Sequence, residues 1–146
     1  AFKMGETAVK NALEEKEELR IENTPKCVYT LPEIASVGIT EEEARKKYGE
    51  IRIGRFNFGA NGRAIASSEE EGFVKVICDK KYGEILGVHI IGSKATEMIG
   101  TGVVMMEMEL TIEEAVEVIY AHPTFSEAIL EACSDCLGKC LHLPKK

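Results

Sequence analysis

At 146 residues and 16.1 kDa the chain has room for one ordinary domain, with a core large enough to need no disulfide staple. A composition of 45% hydrophobic and 29% charged residues excludes wholesale disorder, and 25 acidic against 18 basic residues (net −7) repels phosphate backbones and argues against nucleic acid as a partner. No apolar run approaches the roughly 18–20 residues of a membrane span, and no basic-then-apolar signal pattern opens the chain, so no membrane partner is expected.

The chain begins at Ala1 with no initiator methionine, inside a helical pattern, as a fragment or trimmed product does. Residues 6–19 place Ala8, Val9, Ala12 and Leu13 on one stripe and predict a short amphipathic helix, which must dock on something to be stable. Asn23-Thr24-Pro25 closes it, and Cys27–Thr30 reads as the strand that starts the body of the domain. Thr40 with Glu43 forms a capping box ahead of a helix over 41–48, stopped at Gly49. Ile51, Ile53, Phe56 and Phe58 alternate as in a half-buried strand, with a one-residue slip at Gly54-Arg55. Runs 73–78 and 85–91 form a hairpin around Asp79–Gly83. Ser93 is expected to cap a helix reaching about Leu110. A second capping box, Thr111 with Glu114, opens a helix whose stripe is Ile112, Ala115, Val116 and Ile119. His122-Pro123 breaks it, and Thr124 with Glu127 opens the last helix, with Phe125, Ala128, Ile129, Ala132, Cys133, Cys136 and Leu137 in line. The class is α+β: an antiparallel sheet packed against helices on one side.

Three features carry possible chemistry. Gly59-Ala60-Asn61-Gly62 follows a strand, but no phosphate-binding glycine pattern occurs, so these glycines read as turns. Cys133, Cys136, Cys140 and His142 offer a C-x2-C-x3-C-x-H set of soft ligands suited to zinc, or a C-x-x-C redox pair. Cys133 and Cys136 also extend the apolar stripe, and only one ligand knuckle is present, so burial is the simpler reading. Five cysteines, an odd number without a secretory signal, point to a reducing cytoplasm. His122 sits in a turn five residues ahead of Glu127, which could hold one imidazole nitrogen and free the other for proton transfer. Glu127 is equally accounted for as the N3 partner of Thr124, and on spacing alone that role suffices.

Taken together and in order, Val28–Gly38, Phe58–Ala64, Ile85–Gly92 and His122–Glu127 resemble the C-terminal interface domain of the flavoprotein (pyridine nucleotide) disulfide oxidoreductases, over roughly residues 25–140. Within that family the A-N-x-R-A and H-P-T-x-S-E stretches are most similar to the dihydrolipoamide dehydrogenase branch. The resemblance implies a remnant helix of the preceding flavin-binding domain at 1–22 and an interface domain at 23–146. It implies that His122 is the base that takes a proton from a substrate dithiol, that Glu127 orients and charges it, and that Pro123 fixes the turn. His122 and Pro123 would then lie near the partner subunit's flavin in a homodimer. FAD and NAD would serve the longer protein, with none bound to this chain, which alone would be inactive. Dihydrolipoamide carried by a 2-oxoacid dehydrogenase or related complex would be the partner. Two departures stand out: Tyr120 replaces the first histidine of the H-x-H-P often found in the family, and the cysteine cluster lies outside the family pattern. The rivals are a metal-binding or redox-sensing module built on Cys133, Cys136, Cys140 and His142, and a purely structural dimerisation module.

Overall fold

In the computed structural model, which describes residues 1–19 and 21–143, the apolar alternation of the sequence becomes one antiparallel sheet. Its strands are β1 (Lys26–Val28), β2 (Glu33–Gly38), β3 (Ile51–Asn57), β4 (Phe73–Asp79) and β5 (Ile85–Gly92), in spatial order β1-β2-β5-β4-β3. Ala35, Val37, Phe56, Val74, Val76, Val88 and Ile90 point to one face and are at most 1% exposed. The helices α4 (Ala95–Glu107) and α6 (Glu127–Cys136) cover that face, α4 over β2 and β5, α6 over β3 and β4. The fold is therefore α+β, with the two long core helices on one side of the sheet.

The short helix α2 (Glu41–Tyr48) lies on the other face, where Ala44 packs on Ile77 and Leu86 and Glu41 pairs with Lys75. A bulge between Ile77 and Cys78 makes this possible, because it turns Leu86 toward the α2 side. The Thr40–Glu43 capping box forms as the sequence predicts.

Several boundaries differ from the sequence reading, each for a local reason. Helix α1 spans Phe2–Ala12 rather than 6–19. Glu14 takes a positive φ of 66°, and the acidic run folds back so that Asn11 and Glu17 exchange two hydrogen bonds while Lys3 and Lys10 pair with Glu17. Clustered carboxylates oppose the C-terminal end of a helix dipole, so the reversal is favoured over a further turn. The first strand ends at Val28, and β2, which the sequence reading passed over, follows it. Ser93 does not cap α4; Glu33 of β2 does so from outside, its carboxylate accepting from the Thr96 N–H at 2.9 Å and hydroxyl at 2.7 Å. Gly59–Gly62 is a 3-10 turn (Phe58–Ala60) leading into the short helix α3 (Gly62–Ala66).

The predicted slip at Gly54 is absent: β3 pairs with β4 in unbroken register from Ile51↔Asp79 to Asn57↔Phe73. Gly54 serves packing instead, since a Cβ there would run into the Ala132 carbonyl and the Cys136 backbone and sulfur of α6. Gly54→Ala should therefore cost roughly 3 kcal/mol, at the upper end of overpacking changes, read as a lower urea midpoint at unchanged slope. A loss below about 0.5 kcal/mol would show that α6 yields at this contact.

Candidate active site

The segment between α5 (Ile112–Ala115) and α6 is held open rather than helical. The Thr111–Glu114 box caps α5 as predicted, but the helix stops after one turn and Ile119 turns fully outward (97% exposed) while Tyr120 packs on the core. Pro123 lacks an amide hydrogen and disfavours helical geometry at His122; the bond between them is cis.

Two carboxylate oxygens of Glu127 then do two different jobs. Oε2 accepts the Thr124 N–H at 2.7 Å, and Oε1 lies 2.8 Å from His122 Nδ1. Only half of the predicted capping box forms, because the Thr124 hydroxyl donates to the Ala121 carbonyl at 2.8 Å and Ser126 is the N-cap. Glu127 is thus the first residue of α6, close to the positive end of its dipole. The loop is clamped from a second side by Asn61, which is 4% exposed. Its Nδ2 donates to the Thr124 carbonyl at 3.0 Å, and its Oδ1 accepts the Ala64 N–H at 2.9 Å. Phe58 meets Phe125 edge-on at 6.0 Å beneath. Asn61 was missed as a site residue because Asn-Gly in isolation signals a turn; only its place in the A-N-x-R-A stretch hinted otherwise.

Burial pushes the Glu127 carboxyl up, but the Thr124 N–H, the His122 ring and nearby His142 outweigh it and hold the group below the usual carboxylate value. Glu127 is therefore an anion at neutral pH and can only accept, so His122 Nδ1 carries the hydrogen. The His122 side chain is 79% exposed against 24% for Glu127. Nε2 is left as a free lone pair, the arrangement of a general base with an orienting carboxylate.

The cysteines behave differently. Cys133 is fully buried, and burial pushes its thiol up to about 12. Cys136 is buried with its Sγ directed at the Val76 carbonyl, 3.6 Å away, and the Cys78 thiol beside it together with burial pushes it up as well. These are packing thiols rather than thiolate ligands. Cys140 and His142 instead converge on Glu131, a 7% exposed carboxylate. Its Oε2 accepts from the Cys140 thiol at 2.7 Å and the Leu141 N–H at 3.0 Å, and its Oε1 lies 2.7 Å from His142 Nδ1. Among the described residues, no group of three or more His, Cys, Asp or Glu side chains is placed to hold a metal ion. Among them, too, no helix is long and apolar enough to cross a membrane.

The model of the pyridine nucleotide-disulphide oxidoreductase dimerisation domain matches residues 24–133. The chain belongs to this family. It is 50% identical over 118 residues to a dihydrolipoyl dehydrogenase of Rhizobium etli, covering 81% of this chain and 24% of that protein. It is 41% identical over 142 residues to one from Bacillus subtilis, covering 97% and 31%. Among solved structures, LpdA of Mycobacterium tuberculosis superposes with a TM-score of 0.79 at 28% identity, over 88% of this chain and 28% of that one. The HOCl-induced flavoprotein disulfide reductase RclA of Escherichia coli gives 0.78 at 27%, over 86% and 30%. The chain therefore spans 24–31% of the length of these relatives.

Glu131→Ala would leave the Cys140 thiol, the Leu141 amide and the His142 ring without their acceptor, at a cost of about 1–3 kcal/mol at pH 7. Burial raises the Glu131 carboxyl, but Cys140, His142 and the backbone amides bring it below its ordinary 4.5. The wild-type advantage should thus be complete above pH 4.5 and fade as pH falls through the lower folded value, so the two stability curves converge in acid. Parallel curves down to pH 2 would refute this role for the carboxylate.

Proposed function

We propose that this chain is the C-terminal interface domain of a dihydrolipoamide dehydrogenase, in which His122 is the base for dithiol oxidation. The observation that carries the reading is the exposed His122 ring tied through Nδ1 to the Glu127 carboxylate at 2.8 Å. In this scheme His122 Nε2 takes the proton of a dihydrolipoamide thiol, and Glu127 stabilises the imidazolium that results. The thiolate so formed attacks a disulfide of the longer protein, because thiolate and not thiol is the nucleophile in exchange. Pro123 and Asn61 fix the loop that presents the ring.

FAD and NAD would supply the electron path in the longer protein. At the start of α3 the Ala64 amide is taken by the side chain of Asn61 and is not free for a phosphate. Residues 1–22 would then be a remnant helix of the flavin-binding domain and 23–146 the interface domain; Arg20 and residues 144–146 within these bounds lie outside the described residues. The lipoyl group of a 2-oxoacid dehydrogenase or related complex is the proposed substrate carrier. Five free cysteines suit a reducing cytoplasm.

The homodimer is the form in which the ring would serve a partner subunit's flavin. An open groove of about 440 Å³ beside the loop, lined by Val104, Met105, Leu110, Val118, Ile119 and Tyr120, gives the self-association an apolar surface. In the full flavoprotein His122→Gln should lower dihydrolipoamide turnover about 10²–10⁴-fold at unchanged fold and flavin content. Unchanged turnover would remove His122 from the role. Ile119→Asp, which puts a charge on the most exposed residue of that groove, should weaken dimerisation roughly tenfold or more by sedimentation. An unaltered dimer would place the contact elsewhere.

A further inference from the structure

Glu127 and Glu131 are four residues apart on α6, one above the other on the same face of the helix. Each accepts a hydrogen bond from the Nδ1 of a different histidine, Glu127 from His122 at 2.8 Å and Glu131 from His142 at 2.7 Å. The second pair is built by the segment after α6. Gly138 takes a positive φ of 67°, the chain reverses, and Cys140, Leu141 and His142 close over Glu131. The His142 side chain stays 64% exposed while the Glu131 side chain is 10% exposed, so the imidazole stands at the surface on a buried anion, much as His122 stands on the half-buried Glu127.

We propose that His142 and Glu131 form a second imidazole–carboxylate pair that positions charge beside the His122–Glu127 pair and sets the pH at which the first pair takes up its proton. In its use of the first pair as a catalytic base, the proposal rests on the function proposed above; the coupling itself does not. His142 and Glu131 are positioning residues in this account, since neither touches the reacting atoms. With His142 protonated the second pair is neutral; with His142 neutral it presents one negative charge one helical turn from Glu127. Two interacting sites of this kind share their titration. Consistent with the geometry, His142 already bears on the Glu127 carboxyl and helps to hold it down.

Other titratable and charged groups flank the two pairs: Arg63 of α3, Lys94, and Glu97 of α4 line a surface pocket with Pro123–Ser126 of the loop. On α6 itself Cys133 and Cys136 are buried thiols and Asp135 accepts the Arg55 N–H at 2.9 Å. From β4 comes the buried Cys78, and from β3 come Arg55, whose guanidinium lies 3.8 Å from the Phe73 ring centre, and Arg52, which pairs with Glu113. Tyr120, before the loop, is pushed up to about 12 by burial, and Cys140 up to about 11 by burial and the Glu131 bond, so both stay uncharged.

The test is the titration of the imidazole ring protons by NMR on the 146-residue chain, with half-buried His89 as the internal reference. His142→Asn keeps an N–H donor for Glu131 but removes the titrating charge. It should raise the midpoint of the His122–Glu127 pair by roughly half a pH unit, the size of one unit charge acting across a helical turn near water. Glu131→Gln removes the anion and should lower that midpoint by a similar amount. Both displacements should shrink in high salt. Displacements of opposite sign support the proposal, because a tail that merely loosens would move both variants the same way. Midpoints within about a tenth of a unit of wild type, or moved in one direction by both variants, overturn it. Turnover of His122→Gln in the full flavoprotein separates the two readings: midpoints that move while turnover is unchanged remove the base and leave the coupling, and unmoved midpoints with lost turnover do the reverse.

Discussion

Everything at the candidate site hangs from the close seating of α6 on β3 and β4. A side chain at Gly54 would collide with the backbone of α6 at Ala132 and Cys136, so the helix lies nearer the sheet there than a residue with a Cβ would permit. Seated this way, α6 buries Ala128, Ile129, Ala132 and Cys133 completely. It leaves Glu127 at the mouth of the helix and Glu131 one turn in, with their carboxylates at the edge of the apolar layer. A bare carboxylate in that position would be expensive, and each is tolerated because it meets several donors. Glu127 meets an amide and a ring nitrogen; Glu131 meets a thiol, two amides and a ring nitrogen.

The competition between capping and chemistry at Glu127 resolves through stoichiometry of lone pairs. A carboxylate has two oxygens, and a full capping box would spend one on the Thr124 amide while the Thr124 hydroxyl turned into the helix. Here that hydroxyl bonds to Ala121 and α6 starts three residues later, so Glu127 sits at the first position of the helix. One oxygen still tethers the loop at Thr124, and the other is free for His122. One side chain therefore both tethers the loop and holds the imidazole, and the residue spacing alone could not choose between the two because both use it.

Periodicity sufficed for the β4–β5 hairpin, for α2 with its capping box and for the stripe of α6, because each follows from burial along a local stretch. Features set by contacts between elements were not legible. The cap of α4 comes from Glu33, sixty-three residues upstream, and no local pattern marks it. Gly54 read as a strand irregularity because its crowding comes from a helix eighty residues away in sequence. The acidic run after Ala12 looked helical by composition, and only its pairing with Lys3, Lys10 and Asn11 shows why it turns back. The His122–Glu127 pair was readable through the resemblance of a whole ordered set of motifs, whereas Asn61 entered only inside the A-N-x-R-A stretch and Glu131 was not singled out.

The cysteine-rich end shows how the same letters change meaning with depth. A C-x2-C-x3-C-x-H string is a ligand set only if its side chains converge, and a helix sends positions 133 and 136 inward while the reversal at Gly138 sends 140 and 142 back along the outer edge. What converges there is not sulfur but a carboxylate: Glu131 gathers the tail by accepting from it four times. A residue that is acidic, helical and unremarkable by spacing thereby becomes the anchor of the segment. Its ring partner, His142, is held one helical turn from the carboxylate that holds His122. Charge placed by a buried anchor is better fixed than charge on a free surface side chain, because the anchor spends its conformational freedom on folding rather than on each encounter with a ligand. The tail of this domain is thus tied to the same helix, one turn along, as the loop that carries His122.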